Sequence, residues 1–169
     1  VDINPHSALL KEDGFEEIFI GDQGDRNFLR LLTEKIPKID ILIDDGGHLM
    51  DQQIATFEEL FPYISSNGIY LCEDLHTSYW KKHGGGYKNI NSFIEFSKKF
   101  IDHINAWHSE DDNKFDITEF TISTHSLHYY NSMLVIEKRR INKPCGVRNK
   151  GKNEILEYQF QPIKKKKYF

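Results

Sequence analysis

Two short motifs hold the side chains best suited to chemistry, DDGGH at residues 44–48 and the pair Glu73-Asp74. If Asp45, Glu73 and Asp74 lie together, their carboxylates place several negative charges in one small space. Carboxylates held that close raise one another's pKa or must be neutralised. A divalent cation neutralises them, and oxygen-only ligation favours Mg²⁺ or Mn²⁺ over zinc. The motifs therefore predict a metal site, although Glu73-Asp74 alone fits a helix N-cap equally well.

His48 closes the first motif and follows two glycines. Glycine lets the backbone adopt unusual angles and approach a ligand closely. A histidine imidazole titrates near neutral pH, which suits it to take a proton from a hydroxyl group beside a metal. We therefore predict that His48 is a general base, against the usual interpretation of a lone histidine as a surface or satisfied core residue. Among the other histidines, only His76, close to the Glu-Asp pair, warrants the same attention.

Both motifs follow short apolar runs that predict β-strands. Runs at residues 17–20, 39–43 and 68–72 lead into acidic residues, and they suit strands buried on both faces of a parallel sheet. Amphipathic patterns at residues 25–35 and 52–61 predict helices between these strands. The β-α-β-α-β order predicts an α/β fold with a doubly wound, Rossmann-like, mostly parallel sheet and right-handed crossovers.

The acidic residues fall where such a sheet binds ligands, which is outside the carboxyl ends of its strands. Side chains from three strand ends are therefore predicted to line one crevice: Asp22, Asp45, His48, Glu73 and Asp74. Asp2 ends a further short run, and an acid at such a strand end can hold ribose hydroxyls. The pair Asp22-Gln23 could hydrogen-bond a purine edge or cap the helix that follows.

The second half of the chain has a different pattern. A Gly84-Gly85-Gly86 segment precedes a helix predicted at residues 91–107. Strands predicted at 121–130 and 132–138 are joined tightly, which favours an antiparallel pair at the end of the sheet. Residues 141–169 are predicted to form a polar C-terminal extension with one strand at 155–160.

Composition limits the classes of function. The 169 residues suit one domain, and a net charge of −4 gives no reason to expect a nucleic-acid partner. The basic run at residues 164–167 is interpreted as a solvated tail. The sequence lacks a run of about 20 apolar residues and a signal peptide, so we expect a cytoplasmic protein without a membrane partner. Two cysteines are too few for a disulfide framework.

Three segments together point to a known family. They are IDDGGH at residues 43–48, FxxLFP at 57–62 and GIYLCEDLxTSYW at 68–80. In combination they resemble the class I S-adenosylmethionine-dependent sugar O-methyltransferases of macrolide biosynthesis, of the mycinamicin and tylosin type. The segments at residues 2–4 and 21–23 fall at that family's cofactor positions. The likeness covers residues from 1 to about 138.

The resemblance implies a fold, a reaction and a set of roles. The fold is a seven-stranded methyltransferase sheet whose last two strands are antiparallel. The reaction is a Mg²⁺-assisted transfer of a methyl group from S-adenosylmethionine to a hydroxyl of a sugar or glycosylated metabolite. The implied metal ligands are Asp45, Glu73 and Asp74, with His48 as the base. The implied cofactor contacts are Asp2 at the ribose, Asp22 and Gln23 at the adenine side, and Asp44 against the methionine part.

One departure from the family lies at Val1. Family members carry a first strand and a Gly-rich loop ahead of this point, so we expect an N-terminally truncated, partial methyltransferase domain at residues 1–140 and an extension at 141–169. The N-terminal oligomerisation region of those enzymes also has no counterpart in this sequence. Their quaternary structure therefore does not transfer, and a homo-oligomer stays one of the alternatives. Two other interpretations stand beside a methyltransferase: a relative of the sequences described as cephalosporin hydroxylases, and a non-catalytic fragment that serves in binding or assembly.

Overall fold

The structure is a computed structural model and describes residues 1–10, 17–110, 115–149 and 155–158. The α-helices within these residues are α1 (Arg26–Thr33), α2 (Met50–Leu60), α3 (Phe93–Asn105) and α4 (Glu119–Ser123). The strands are β1 (Ile39–Asp44), β2 (Ile64–Cys72), β3 (Thr124–Tyr130), β4 (Met133–Lys138), β5 (Gly146–Asn149) and β6 (Ile155–Tyr158). Short 3₁₀ turns lie at Pro5–Leu9, Phe61–Tyr63, Leu75–Tyr79, Lys81–His83 and Ala106–His108.

The main sheet has the strand order β1-β2-β4-β3. Strand β1 is parallel to β2, whereas β4 is antiparallel to both β2 and β3. The predicted mixed α/β class with a late antiparallel pair is therefore confirmed. Strands β5 and β6 form a separate antiparallel pair within the predicted extension.

Some predicted boundaries are wrong. Strand β2 starts at Ile64, four residues before the predicted start at Gly68, so Asn67 and Gly68 lie inside the strand. The extra residues form a bulge, because Ile39 pairs with Ile64 but Ile41 already pairs with Ile69. Residues 121–123, predicted as the start of a strand, instead belong to α4, since Thr118 caps this helical turn through Thr121 in a reciprocal capping box.

The first predicted strand, at residues 17–20, is reduced to one parallel bridge between Asp2 and Ile20. Backbone hydrogen bonds join Asp2 N to Phe19 O at 3.0 Å and Gly21 N to Asp2 O at 2.9 Å. Among the described residues neither segment pairs with β1, so β1 is an edge of the main sheet there. The ends of these two segments nevertheless bring Asp2 and Gly21 side by side.

Strand β1 is covered by helices on one face. Leu42 packs against residues of α1 and α2, and its sheet neighbour Tyr70 is fully buried in the main core. Ile41 and Ile43 point to the opposite face and are 63% and 59% exposed. The prediction that this run is buried on both faces is therefore wrong for the described residues, whose helices pack on the Leu42 side only.

Lys138 is a buried cation at the end of β4, and it predicts a pH-dependent stability. Its ammonium group donates to the carbonyls of Phe61, at 3.1 Å, and Ile64, at 2.9 Å. Burial, followed by the charge of Lys38, lowers the pKa of Lys138 from 10.5 to about 8. Between pH 8 and pH 10.5, Lys138 is therefore mostly protonated in the unfolded chain and mostly neutral in the folded chain.

We expect Lys138 to contribute a free energy of unfolding that increases from about pH 8 to about pH 10.5, by up to roughly 3 kcal/mol. Urea unfolding of the unsubstituted protein and Lys138→Met at pH 7.5 and 10 measures this contribution, since other titrating groups cancel in the difference. Parallel pH dependences of the two proteins would contradict the prediction.

Candidate metal and cofactor site

The two chemical motifs meet at the ends of β1 and β2. Because these strands are parallel and Asp44 is paired with Cys72, the residues that follow them leave the sheet at the same edge. A backbone hydrogen bond of 3.0 Å from Glu73 N to Asp44 O continues the pairing by one residue. Sheet register therefore brings the DDGGH loop next to Glu73-Asp74, as the sequence pattern indicates.

Three side chains converge at this edge. Asp45, His48 and Asp74 each offer one ligand atom, and these atoms all lie within 4.8 Å of one another. His48 Nε2 is 3.5 Å from Asp74 Oδ2 and 3.7 Å from Asp45 Oδ1. His48 Nδ1 is buried and has no hydrogen-bond partner among the described residues. The arrangement can hold a divalent cation, and it directs one imidazole nitrogen toward the carboxylates.

Two members of this group have a strained backbone. His48 has φ 55° and Asp74 has φ 53°, both in the left-handed region that residues other than glycine seldom occupy. Such conformations cost on the order of 1–3 kcal/mol and persist where the surrounding structure enforces them, often at functional sites. Here the two strained residues are the ones whose side chains lie against each other, with His48 Nε2 3.5 Å from Asp74 Oδ2.

Glu73 is the predicted ligand that is not a member of this group. Both of its backbone groups are hydrogen-bonded, since its N–H donates to Asp44 O and its carbonyl accepts from Gln53 Nε2 at 3.2 Å. Its ligand role remains a prediction. His76 instead lies beside the group, with Nδ1 3.7 Å from Asp74 Oδ1 and 2.7 Å from Ser132 Oγ. Only its position close to the Glu-Asp pair marked it in the sequence.

Asp44 lies beneath the site in the interior. Its carboxylate accepts hydrogen bonds from Gln23 Nε2 at 2.9 Å and from Tyr70 OH at 3.2 Å. Burial raises the pKa of Asp44 from 3.8 to about 6, and the bonds from Gln23 and Tyr70 offset part of that rise. Asp44 is thus engaged by the protein, and its predicted contact with a cofactor remains a prediction.

A cleft of about 290 Å³ opens beside Asp45, between the DDGGH loop and the paired segments near residues 2 and 21. Asp2, Asp22 and Gln23, which are predicted cofactor residues, line it. The exposed Asp2 carboxylate accepts from Asn4 N and Ser7 Oγ, each at 2.8 Å, and these hydrogen bonds lower its pKa. The structure therefore places the candidate cofactor residues next to the candidate metal group.

Asp22 does not cap the following helix. The cap of α1 is Asp25, whose carboxylate accepts from the backbone N–H groups of Asn27 and Phe28. Asp22 Oδ1 instead accepts from Gly24 N at 2.7 Å and from Gln52 Nε2 at 3.2 Å. The structure therefore excludes the helix-cap interpretation of Asp22, and the ligand contact stays a prediction.

A second cleft, of about 460 Å³, borders the site on the side of His76. Its walls include the rings of Tyr79, Tyr129 and Tyr130, with Asn131 and Ser132 at the β3–β4 turn. Tyr79 is 52% exposed and Tyr130 is 61% exposed, so both offer ring surface to a ligand. Sequence reasoning missed this cleft, because its residues are far apart in the chain and form no motif.

The described helices include none that is long and apolar enough to cross a membrane. A search with protein-family models finds no match to the sequence. Curated relatives do match. The 8-demethyl-8-alpha-L-rhamnosyl tetracenomycin-C 2'-O-methyltransferase of Streptomyces olivaceus is 35% identical over 131 residues, which cover 76% of this chain and 34% of the relative. The demethylmacrocin O-methyltransferase of Streptomyces fradiae is 31% identical over 132 residues, covering 76% and 33%.

A solved structure matches as well. It is the MycE methyltransferase from the mycinamycin biosynthetic pathway in complex with Mg, SAH and mycinamycin VI, with a TM-score of 0.72 and 29% identity. The match covers 82% of this chain and 35% of that one. The chain thus spans about a third of the length of the proteins it matches. These matches confirm the resemblance found in the sequence, and the chain is a homologue of the sugar O-methyltransferases over that third of their length.

Proposed function

We propose that the protein is a Mg²⁺-assisted O-methyltransferase that uses S-adenosylmethionine and acts on a hydroxyl of a sugar or glycosylated metabolite. The observation that carries this proposal is the convergence of Asp45, His48 and Asp74 atoms within 4.8 Å, next to a cleft lined by Asp2 and Asp22. The homologous MycE was solved with Mg and SAH, which supports the same pair of ligands here. The proposal includes a cytoplasmic location and a small-molecule or glycan partner.

The donor set fits a hard divalent cation. Asp45 and Asp74 supply carboxylate oxygens from two different strand ends, and Glu73 precedes Asp74 in the sequence. Mg²⁺ and Mn²⁺ prefer such oxygen ligands. We assign all three acids to the metal. When bound, the cation would act as a Lewis acid that polarises the hydroxyl group of the acceptor.

The cleft fits part of a nucleoside-containing cofactor. Its volume of about 290 Å³ is just below the range of ligand pockets, about 300–1,000 Å³, which suits part of a cofactor. Asp2 presents an exposed carboxylate for ribose hydroxyls, and Asp22 lies farther along the same wall. Gly46 and Gly47 also line the cleft, and because they have no Cβ the side chains of Gln23 and Gln52 can pack directly against the loop backbone. S-adenosylmethionine would supply the electrophilic methyl group.

His48 is assigned as the general base. Its Nε2 atom faces Asp45 and Asp74 and can accept the proton that the acceptor hydroxyl loses. The imidazolium that results has the Asp74 carboxylate 3.5 Å away, and this negative charge stabilises it. The exposed rings of Tyr79 and Tyr130 lie in the adjoining cleft, where a sugar or its apolar aglycone would pack.

The full-length protein tests the proposal directly. Calorimetry with S-adenosylmethionine, with and without Mg²⁺, measures binding of the two ligands. Incubation with a panel of rhamnosides and olivosides, followed by mass spectrometry, identifies the product. We expect cofactor binding and a product heavier by one methylene unit. A product heavier by one oxygen atom would indicate a hydroxylase, and absence of cofactor binding would favour a non-catalytic protein.

A further inference from the structure

The side-chain amide of Gln23 joins three parts of the structure. Its Nε2 donates to Asp44 Oδ1 at 2.9 Å and to Thr56 Oγ1 at 3.1 Å, and its Oε1 accepts from Gly47 N at 2.7 Å. These contacts link the segment before α1 to the end of β1, to α2 and to the DDGGH loop. Both N–H groups and the carbonyl oxygen are thus used within the protein.

The surroundings fix the orientation of this amide. A backbone N–H such as that of Gly47 can only donate, so it must face the carbonyl oxygen of Gln23. The amide nitrogen then faces Asp44 and Thr56, which are 4% and 5% exposed. A Cβ at Gly46 would collide with Gln23 Oε1, so a glycine at 46 lets the amide close onto the loop. The network is therefore buried at its Asp44 and Thr56 end, whereas Gln23 itself is half-buried and its hydrogen bond to Gly47 lies at the exposed loop.

Gly47 lies between the two members of the candidate site that the loop carries. Asp45 precedes it by two residues and His48 follows it directly, with their side chains 3.7 Å apart. His48 has a left-handed backbone that the surrounding structure must enforce. The hydrogen bond from Gly47 N to Gln23 Oε1 fixes the loop at Gly47, and so restricts the backbone of the residues on either side of Gly47. Gln23 is well placed to supply that restriction.

We propose that Gln23 is a positioning residue, which holds the DDGGH loop through Gly47 and so sets Asp45 and His48 against Asp74. This role differs from the adenine contact that the sequence resemblance implies for Gln23. The effect that we expect on turnover rests on the proposed function, whereas the effect that we expect on the DDGGH loop does not. The Gln23 amide acts through the backbone and does not touch the reacting atoms.

The substitution Gln23→Met tests the proposal, because methionine has a similar length and no amide. We expect kcat and Mg²⁺ affinity to fall by about 10–100-fold, the range seen when partners of metal ligands are removed. The KM for S-adenosylmethionine should change little. An adenine contact would give the opposite split, with a raised KM and an unchanged kcat and Mg²⁺ affinity, and that result would overturn the proposal.

Gln52→Met is the matched control. Gln52 lines the same cleft wall, but its amide donates to Asp22 and not to the loop. We expect it to leave Mg²⁺ affinity near the unsubstituted value; turnover is not compared in this variant, because Gln52 supports Asp22 in the proposed cofactor cleft. Equal losses of Mg²⁺ affinity in both variants would show a general disturbance of the wall and would contradict a specific role for Gln23.

Amide hydrogen exchange separates this inference from the proposed function. Exchange at Gly47 N should accelerate in Gln23→Met and remain slow in Gln52→Met, whatever reaction the protein performs. If the unsubstituted protein binds neither Mg²⁺ nor S-adenosylmethionine, the proposed function fails while the exchange result still decides the role of Gln23. Unchanged exchange at Gly47 in Gln23→Met would overturn the positioning role.

Discussion

His48→Ala is expected to lower kcat by about 10²–10⁴-fold, the usual contribution of a general base, while Mg²⁺ affinity stays near that of the unsubstituted protein. The physical reason is the position of Nε2, which faces the carboxylates of Asp45 and Asp74 at 3.7 and 3.5 Å. From there it would take the proton of an acceptor hydroxyl placed beside these carboxylates, which are the residues proposed to hold the cation. Initial rates at saturating S-adenosylmethionine, together with Mg²⁺ calorimetry, measure the two effects separately.

Asp45→Ala serves as the comparison, because a ligand should lose both Mg²⁺ affinity and turnover. The geometry also permits a different arrangement, since a His48 nitrogen is one of the three atoms within 4.8 Å that could hold a metal. If His48→Ala weakens Mg²⁺ binding as strongly as Asp45→Ala, His48 is a ligand, and the base must be sought elsewhere. His76, on the far side of Asp74, would then be the first residue to substitute.

The position of the site was predictable because it depends on sheet topology. Apolar runs predicted β1 and the second half of β2, and parallel strands present their carboxyl ends at one edge. Pairing of Asp44 with Cys72 then brings the two acidic motifs together without any further information. The antiparallel β3–β4 pair followed from the tight turn at Asn131 in the same way.

Features that depend on neighbouring elements could not be predicted. The bulge in β2 places Asn67 and Gly68 inside a strand, although this dipeptide is a strong turn signal in isolation. The exposure of Ile41 and Ile43 depends on which elements cover a face of the sheet, and an apolar run does not contain that information. Local patterns therefore located the strands but not their surroundings.

The internal support of the site was also hidden from sequence reasoning. The family resemblance implies a cofactor contact for Gln23, whereas its amide hydrogen-bonds three protein groups from distant parts of the chain. The left-handed backbone at His48 and Asp74 has no signature in residue type, since neither is a glycine. Motifs located the candidate groups, and tertiary contacts determine how these groups are held.

Phe57→Ala is expected to lower the free energy of unfolding by about 3–5 kcal/mol, the range for removing a large aromatic side chain from a core. Phe57 is fully buried on α2, and its ring centroid lies 4.6 Å from that of Phe100, 4.8 Å from that of Phe61 and 5.2 Å from that of Tyr70. Its removal would therefore leave a cavity where α2, α3 and β2 meet. Urea unfolding followed by circular dichroism measures the loss.

The same contacts connect the core to the site, because α2 also carries Thr56, which hydrogen-bonds Gln23. Phe57→Leu should lose less stability, since more of the ring volume is retained. Tyr87→Ala removes an aromatic ring that is 79% exposed, and it should change stability by no more than about 0.5 kcal/mol. If Phe57→Ala were as stable as Tyr87→Ala, the aromatic cluster around Phe57 would not be the centre of the core, and the support of α2 for the site would need another source.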